Sequence, residues 1–185
     1  GFRADLEKIG RAVRAVDGLF AVDVIQSLGA SVFDLPAQYV DIAAGASHKW
    51  LCSPEGCGIL YLSPRARERV APTHIGWISV ETPWDFDDTE QQFKDNALAW
   101  ESGTGPSAMF FGLEQSLLLF KETGAEVIED HLDELSTYLC ERLGENPYDI
   151  VSSRTEGERS PIVCVRHRSG VDPDEIARQL EERDV

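Results

Sequence analysis

The chain has 185 residues, 42% of them apolar, with 33 acidic against 17 basic side chains and a formal net charge of −16. This length suits one sizeable domain, or one plus a small second one, and the composition suits a packed core rather than a disordered tail. The negative charge is spread along the chain and argues against nucleic acid or anionic membrane as a partner, so any anion site must be built locally from backbone N–H groups and a few side chains.

Residues 4–16 read as a helix, because Leu6, Ile9, Val13 and Val16 recur at helical spacing before Gly18. Leu19-Phe20-Ala21-Val22 follows as a short apolar run, expected as a buried parallel strand with Asp23 at its end and Gln26 three residues on. Val40–Ala44 is a second such strand and leads directly into Ser47-His48-Lys49. After the Pro54-Glu55-Gly56 turn, residues 57–62 form a third. Carboxyl ends of parallel strands gather at one edge of a sheet, so Asp23 and Lys49 are expected to meet there.

Residues 72–104 carry aromatics, glycine and acids without a sustained period, a texture often found in functional loops. The Trp77–Asp88 part is expected either to line a substrate entrance or to be a variable surface insertion. The stretch ends in Ser102-Gly103-Thr104-Gly105. Residues 107–121 are apolar nearly all round and predict a buried helix. Gly124 marks an expected boundary, with 1–123 in one domain and 124–185 opening another. Beyond it come an amphipathic helix over 126–143, strands at 148–152 and 162–167, and a final helix. Asp172 is that helix's expected cap, Pro173 its first residue and Glu175 the capping-box partner.

No apolar run reaches membrane-spanning length, and the amphipathic start does not read as a secretory signal. Cys52, Cys57, Cys140 and Cys164 are too few and too scattered for a disulfide scaffold, which points to a reducing, cytoplasmic setting.

Lysine is scarce, with Lys8, Lys49, Lys94 and Lys121 the only four among 17 basic residues. Lys49 is flanked by small and apolar residues, a context that favours burial. Burial lowers an amine's pKa and makes it a nucleophile able to form a Schiff base; the plainer alternative is a strand-end lysine that snorkels to water. Asp23, Gln26, Ser47, His48, Lys49 and Thr104 together suit pyridoxal 5'-phosphate. Lys49 would take its aldehyde and a buried carboxylate, Asp23, would keep its ring nitrogen protonated. Gln26 would meet the 3-hydroxyl, while Ser47, His48 and the Ser102–Gly105 turn would meet the phosphate. Each residue also has an ordinary structural reading, as a cap, a turn residue or a satisfied histidine.

The motifs Asp23-Val-Ile-Gln26-Ser-Leu-Gly29-Ala30, Ser47-His48-Lys49-Trp50, Pro54-Glu-Gly56-Cys-Gly58 and Glu101-Ser-Gly103-Thr104 resemble the class V aminotransferase family of fold-type I pyridoxal-phosphate enzymes. That family includes cysteine desulfurases, selenocysteine lyases, aminotransferases and isopenicillin-N-epimerase-like proteins. The resemblance implies a three-layer αβα fold with a mostly parallel sheet, here the latter part of the large cofactor domain, followed by the start of a small α+β domain. It implies Lys49 as the Schiff-base residue, Asp23 as the ring-nitrogen partner, Gln26 beside the 3-hydroxyl, and Ser47 and His48 on the phosphate. Thr104 resembles the residue that reaches a neighbouring subunit's cofactor, which implies a homodimer. The family's ring-stacking residue and its substrate-binding Arg find no counterpart, as in a central fragment, so these residues alone are expected to hold cofactor weakly and to be inactive. The expected activity is aminotransferase-like or lyase chemistry on an amino acid, with cysteine desulfuration or selenocysteine lysis as the alternative. Of another class, the alternatives are a non-catalytic packing module or a structural zinc on His48, Cys52, Cys57 and His74; no catalytic metal is expected.

Overall fold

The computed structural model describes all 185 residues. Helix α1 (Leu6–Ala15) starts at Asp5, whose carboxylate accepts the Lys8 N–H, and runs into strand β1 (Ala21–Asp23). Strands β2 (Ile42–Ala46) and β3 (Gly58–Leu62) complete a sheet in the order β1-β2-β3. β1 lies parallel to β2, and β3 antiparallel to it. The expected parallel pairing therefore holds for the two strands that lead to Asp23 and Lys49. β3 reverses direction because the connection over 47–57, which turns at Gly56 (φ +101°), holds no helix that could carry the chain back for a parallel crossover.

One face of this sheet is packed. Val24, Val40 and Ala43 form its centre, with Leu6 of α1, Phe20, Val22, Leu28 and Tyr61 around them. The other face, carrying Ala21, Asp23, Ala44, Gly58 and Leu60, is exposed.

Asp41, at the foot of β2, is the electrostatic centre of the packed side. It is 1% exposed and accepts hydrogen bonds from the Phe20 N–H (3.0 Å), the Ser63 hydroxyl (3.1 Å), Arg65 (3.0 Å) and Arg14 (3.3 Å). Burial disfavours its charge, but the Phe20 N–H, the Ser63 hydroxyl and the two guanidinium groups outweigh it. The carboxyl stays below the usual carboxylate range. Ser63 also caps helix α2 (Pro64–Arg69), accepting the Ala66 N–H at 3.0 Å. The Ser-Pro start of this short helix is a clear signal that the periodicity reading passed over.

Helix α3 (Ser107–Thr123) forms where expected but is not buried all round. Its packed side carries Gly112, Leu113 and Ser116. Gly112 lies so close to Pro54 that a Cβ there would meet the proline ring at 2.6 Å, and the Ser116 hydroxyl donates to the Leu51 carbonyl. The bulky side, including Phe111 at 69% exposed and Leu119 at 60%, faces outward. Composition predicts the helix; only the contacts show that Gly112, Leu113 and Ser116 make its seat.

Gly124, at φ +92°, turns the chain into α4 (Ala125–Gly144). Antiparallel strands β4 (Tyr148–Ile150) and β5 (Val165–His167) follow, then α5 (Pro173–Glu181). Asp172 caps α5 as expected, accepting the Asp174 N–H at 3.1 Å, whereas Glu175 turns to Arg178 and Gln179 instead of closing a capping box. Glu129 of α4 joins the two halves by accepting from Arg3 and from the Val32 N–H (3.1 Å). No helix is long and apolar enough to cross a membrane.

A net charge of −16 on this surface opposes the compact state by self-repulsion. Raising KCl from 0.1 to 1 M shortens the screening length from about 10 to about 3 Å. The melting temperature, followed by circular dichroism, is expected to rise over that range. A flat or falling trend would mean that the surface charge is already balanced locally.

Candidate active site

The exposed sheet face forms the floor of an open cleft of about 1380 Å³. Its floor mixes small residues, Ala21, Ala44, Ala46 and Gly58, with the bulkier Ile42, Leu60 and Leu62. Asp23 and His48 both line it. Asp23 sits opposite Ala44 in the β1–β2 register, and its Oδ1 accepts the Ile25 N–H at 2.9 Å, while Oδ2 has no protein partner. This Asx turn redirects the chain from strand into the 24–31 loop.

That loop is locked against the one holding Lys49. Gly29 has φ +97°, and a Cβ on it would meet the Trp50 carbonyl carbon at 2.8 Å and the Leu51 nitrogen at 2.9 Å. Gly29→Ala combines left-handed backbone strain with a backbone clash, so a loss of about 1–3 kcal/mol is expected in urea unfolding. An unchanged midpoint would show that the two loops are not in contact.

The remaining candidates fall into two groups. Gln26, His48, Lys49 and Thr104 are exposed, and no protein group takes a hydrogen bond from the Lys49 amine. The burial expected for Lys49 is thus not found within these residues: Ala43 and Leu51 on either side are buried, but the turn carries the lysine itself outward. Asp23 is likewise exposed rather than buried. Ser47 is the opposite case. It is fully buried, and its hydroxyl donates to the Cys57 carbonyl (2.9 Å) beside Ser53 (3.2 Å) and the Cys57 thiol (3.1 Å). In this arrangement it braces the turn that presents His48 and Lys49. Thr104 lies outside the cleft lining, in the loop before α3.

Three charged residues that sequence reasoning did not select also line the cleft: Glu55, Arg67 and Glu101. Arg67 donates to the Asp95 carbonyl at 2.6 Å. Glu101 could have been found from its place beside the Ser102–Gly105 turn, and Arg67 from the unread Ser63-Pro64 helix start. The zinc reading lacks its ligand set, since no three His, Cys, Asp or Glu side chains come together as a metal site requires. Cys52 is exposed, and Cys57 lies among hydroxyls.

Asp23 thus opens onto the cleft at the end of β1, and Gly29 ties its loop to the turn bearing Lys49, although Lys49 and Gln26 themselves lie outside the cleft lining. The family model for class-V aminotransferases matches residues 1–185, and the chain belongs to that family. A probable cysteine desulfurase of Methanothermobacter thermautotrophicus is 28% identical over 180 residues, covering 96% of this chain and 43% of that protein. One from Aeropyrum pernix is also 28% identical, over 191 residues, covering 100% of this chain and 46% of that protein. Among solved structures, the apo cysteine desulfurase of Thermococcus onnurineus NA1 superposes with a TM-score of 0.85 at 22% identity, over 98% of this chain and 44% of that one. An alanine–glyoxylate aminotransferase from Nostoc sp. gives a TM-score of 0.74 at 25% identity, over 97% and 46%. The chain therefore spans less than half the length of these relatives. The α/β fold of the class holds for it, here as a small mixed sheet covered on one face rather than a mostly parallel sheet between two helical layers.

Proposed function

We propose that the chain is part of a pyridoxal 5'-phosphate-dependent enzyme acting on an amino acid. The observation that carries this is the locked pair of loops: Asp23 and His48 open onto one slot, and Lys49 follows His48 directly. The residues present fit the cofactor. Near Asp23 the floor carries Ala44, Ala46 and Gly58, which leave room for a flat ring, and the free Oδ2 of Asp23 can accept a hydrogen bond from a ring nitrogen.

Bound there, the cofactor supplies an electron sink for the charge that develops on a substrate's Cα. Lys49 would hold it through the amine and, once released, move the Cα proton as a general base and acid. Asp23 would keep the ring nitrogen protonated, Gln26 would face the 3-hydroxyl, and His48 would meet the phosphate. Ser47 would act on the phosphate only if its internal hydrogen bonds reorganised, so here its proposed part is to shape the turn. Thr104, exposed at the loop before α3, would serve a neighbouring subunit's site in a homodimer. Residues 1–123 would belong to the large domain and 124–185 to the small one, in a cytoplasmic protein whose four cysteines are free.

Aminotransferase-like or lyase chemistry is the first reading. Cysteine desulfuration is the second, favoured by the printed names of the M. thermautotrophicus and A. pernix relatives. The test is a visible absorption spectrum of the full-length protein with added pyridoxal 5'-phosphate. A protein-dependent band near the visible edge is expected, together with a borohydride-trapped adduct on the Lys49 peptide. An adduct on Lys94 or Lys121 instead, or none, would remove the proposal.

A further inference from the structure

The loop between Gly76 and Lys94 is folded, not loose. The Ser79 hydroxyl, fully buried, accepts the Gly76 N–H and donates to the Glu101 carbonyl; Val80 bridges Phe93, and Lys94 Nζ donates to the Ile78 carbonyl. This frame holds three aromatic rings together at the surface. Trp77 and Trp84 have centroids 4.8 Å apart, and Phe86 stands edge-on to Trp84 at 6.4 Å. Trp84 is 75% exposed and Phe86 71%, an unusual exposure for side chains that gain so much from burial.

Trp77 and Phe86 line a separate hollow of about 550 Å³, within the range of small-molecule sites, together with Asp85, Asp88 and Glu90. No basic side chain pairs with any of these carboxylates or with Asp87. Asp85 and Asp88 each accept backbone N–H groups through Oδ1 alone. Aromatic rings (Trp77, Phe86 and Phe93) and unpaired carboxylates lining one small hollow complement a compact organic cation.

We propose that this hollow binds a small alkylammonium or guanidinium group. The site stands apart from the slot at Asp23 and needs no cofactor. It adjoins the Ser102–Gly105 turn, since a Cβ on Gly103 would meet the Trp77 indole nitrogen at 3.3 Å.

The test titrates the full-length protein with tetramethylammonium chloride by calorimetry and tryptophan fluorescence, using NaCl of equal ionic strength and neopentyl alcohol, a neutral molecule of like shape, as references. Saturable binding of the cation alone is expected. Phe86→Ala and Glu90→Gln, both surface changes at residues lining the hollow whose folding is checked by circular dichroism, should each weaken it about three- to tenfold. Equal binding of the alcohol would make the hollow a merely apolar patch and overturn the inference. A non-saturating signal, or one indifferent to both substitutions, would show diffuse counter-ion attraction and overturn it too. So would binding confined to polycationic peptides, which would point to a macromolecular partner.

Discussion

Replacing Asp41 with asparagine is expected to destabilise the protein by about 3 kcal/mol, read as a lower urea midpoint at unchanged slope. The carboxylate is the one acceptor shared by the start of β1, the cap of α2 and the guanidinium groups of Arg14 and Arg65. An amide keeps the shape, but it turns an N–H₂ group toward at least one donor and leaves two cations without their counter-charge. Breaking a buried pair costs about 3–5 kcal/mol; the lower end applies because Arg14 and Arg65 keep some access to water. Ser63→Ala removes one donor and one helix cap and should cost less, about 1 kcal/mol. The same group sets a pH dependence. A carboxyl held below its unfolded value stabilises the fold fully above about pH 4, and that contribution is lost as pH falls through the folded pKa. Asp41→Asn should therefore flatten the acid limb of the stability profile. A profile as steep as the parent's would assign acid unfolding to other carboxylates.

Lys49→Ala in the full-length enzyme is expected to lower turnover by at least about 10²–10⁴-fold, the usual worth of a positioned proton-transfer group. Loss of the covalent hold on the cofactor adds to it. Two assays separate the readings of the reaction. L-alanine with glyoxylate gives pyruvate in an aminotransferase, whereas L-cysteine gives transferable sulfur in a desulfurase. Activity in either should vanish with the lysine, while the thermal midpoint of the cofactor-free protein should move little, because the side chain is exposed there. Undiminished turnover would remove Lys49 from the chemistry.

The strands at residues 21–23 and 42–46 were legible as apolar runs, the helix at 107–123 as a stretch apolar nearly all round, and that at 125–144 as a periodic one. Burial was not. The expectation that Lys49 and Asp23 would be shielded, and that α3 would be covered on all sides, came from local composition. Exposure depends on which distant segment lies alongside. Asp41 shows the limit most clearly: inside an apolar run it looks like an interruption, and its partners lie 21, 22, 24 and 27 positions away. Ser47 is similar, since a hydroxyl beside His-Lys reads equally as ligand or brace. The motif residues of the 23–30 and 47–50 stretches were readable as a set, and Gly29 turned out to be the contact that joins them.

That contact constrains how the site could work. With Gly29 seated on the Trp50 backbone, the peptide segments bearing the acid and the amine shift together or not at all. Travel during a reaction cycle then falls to the lysine's own four methylenes, so side-chain order parameters at position 49 should respond to substrate while amide relaxation at 29 and 50 stays unchanged.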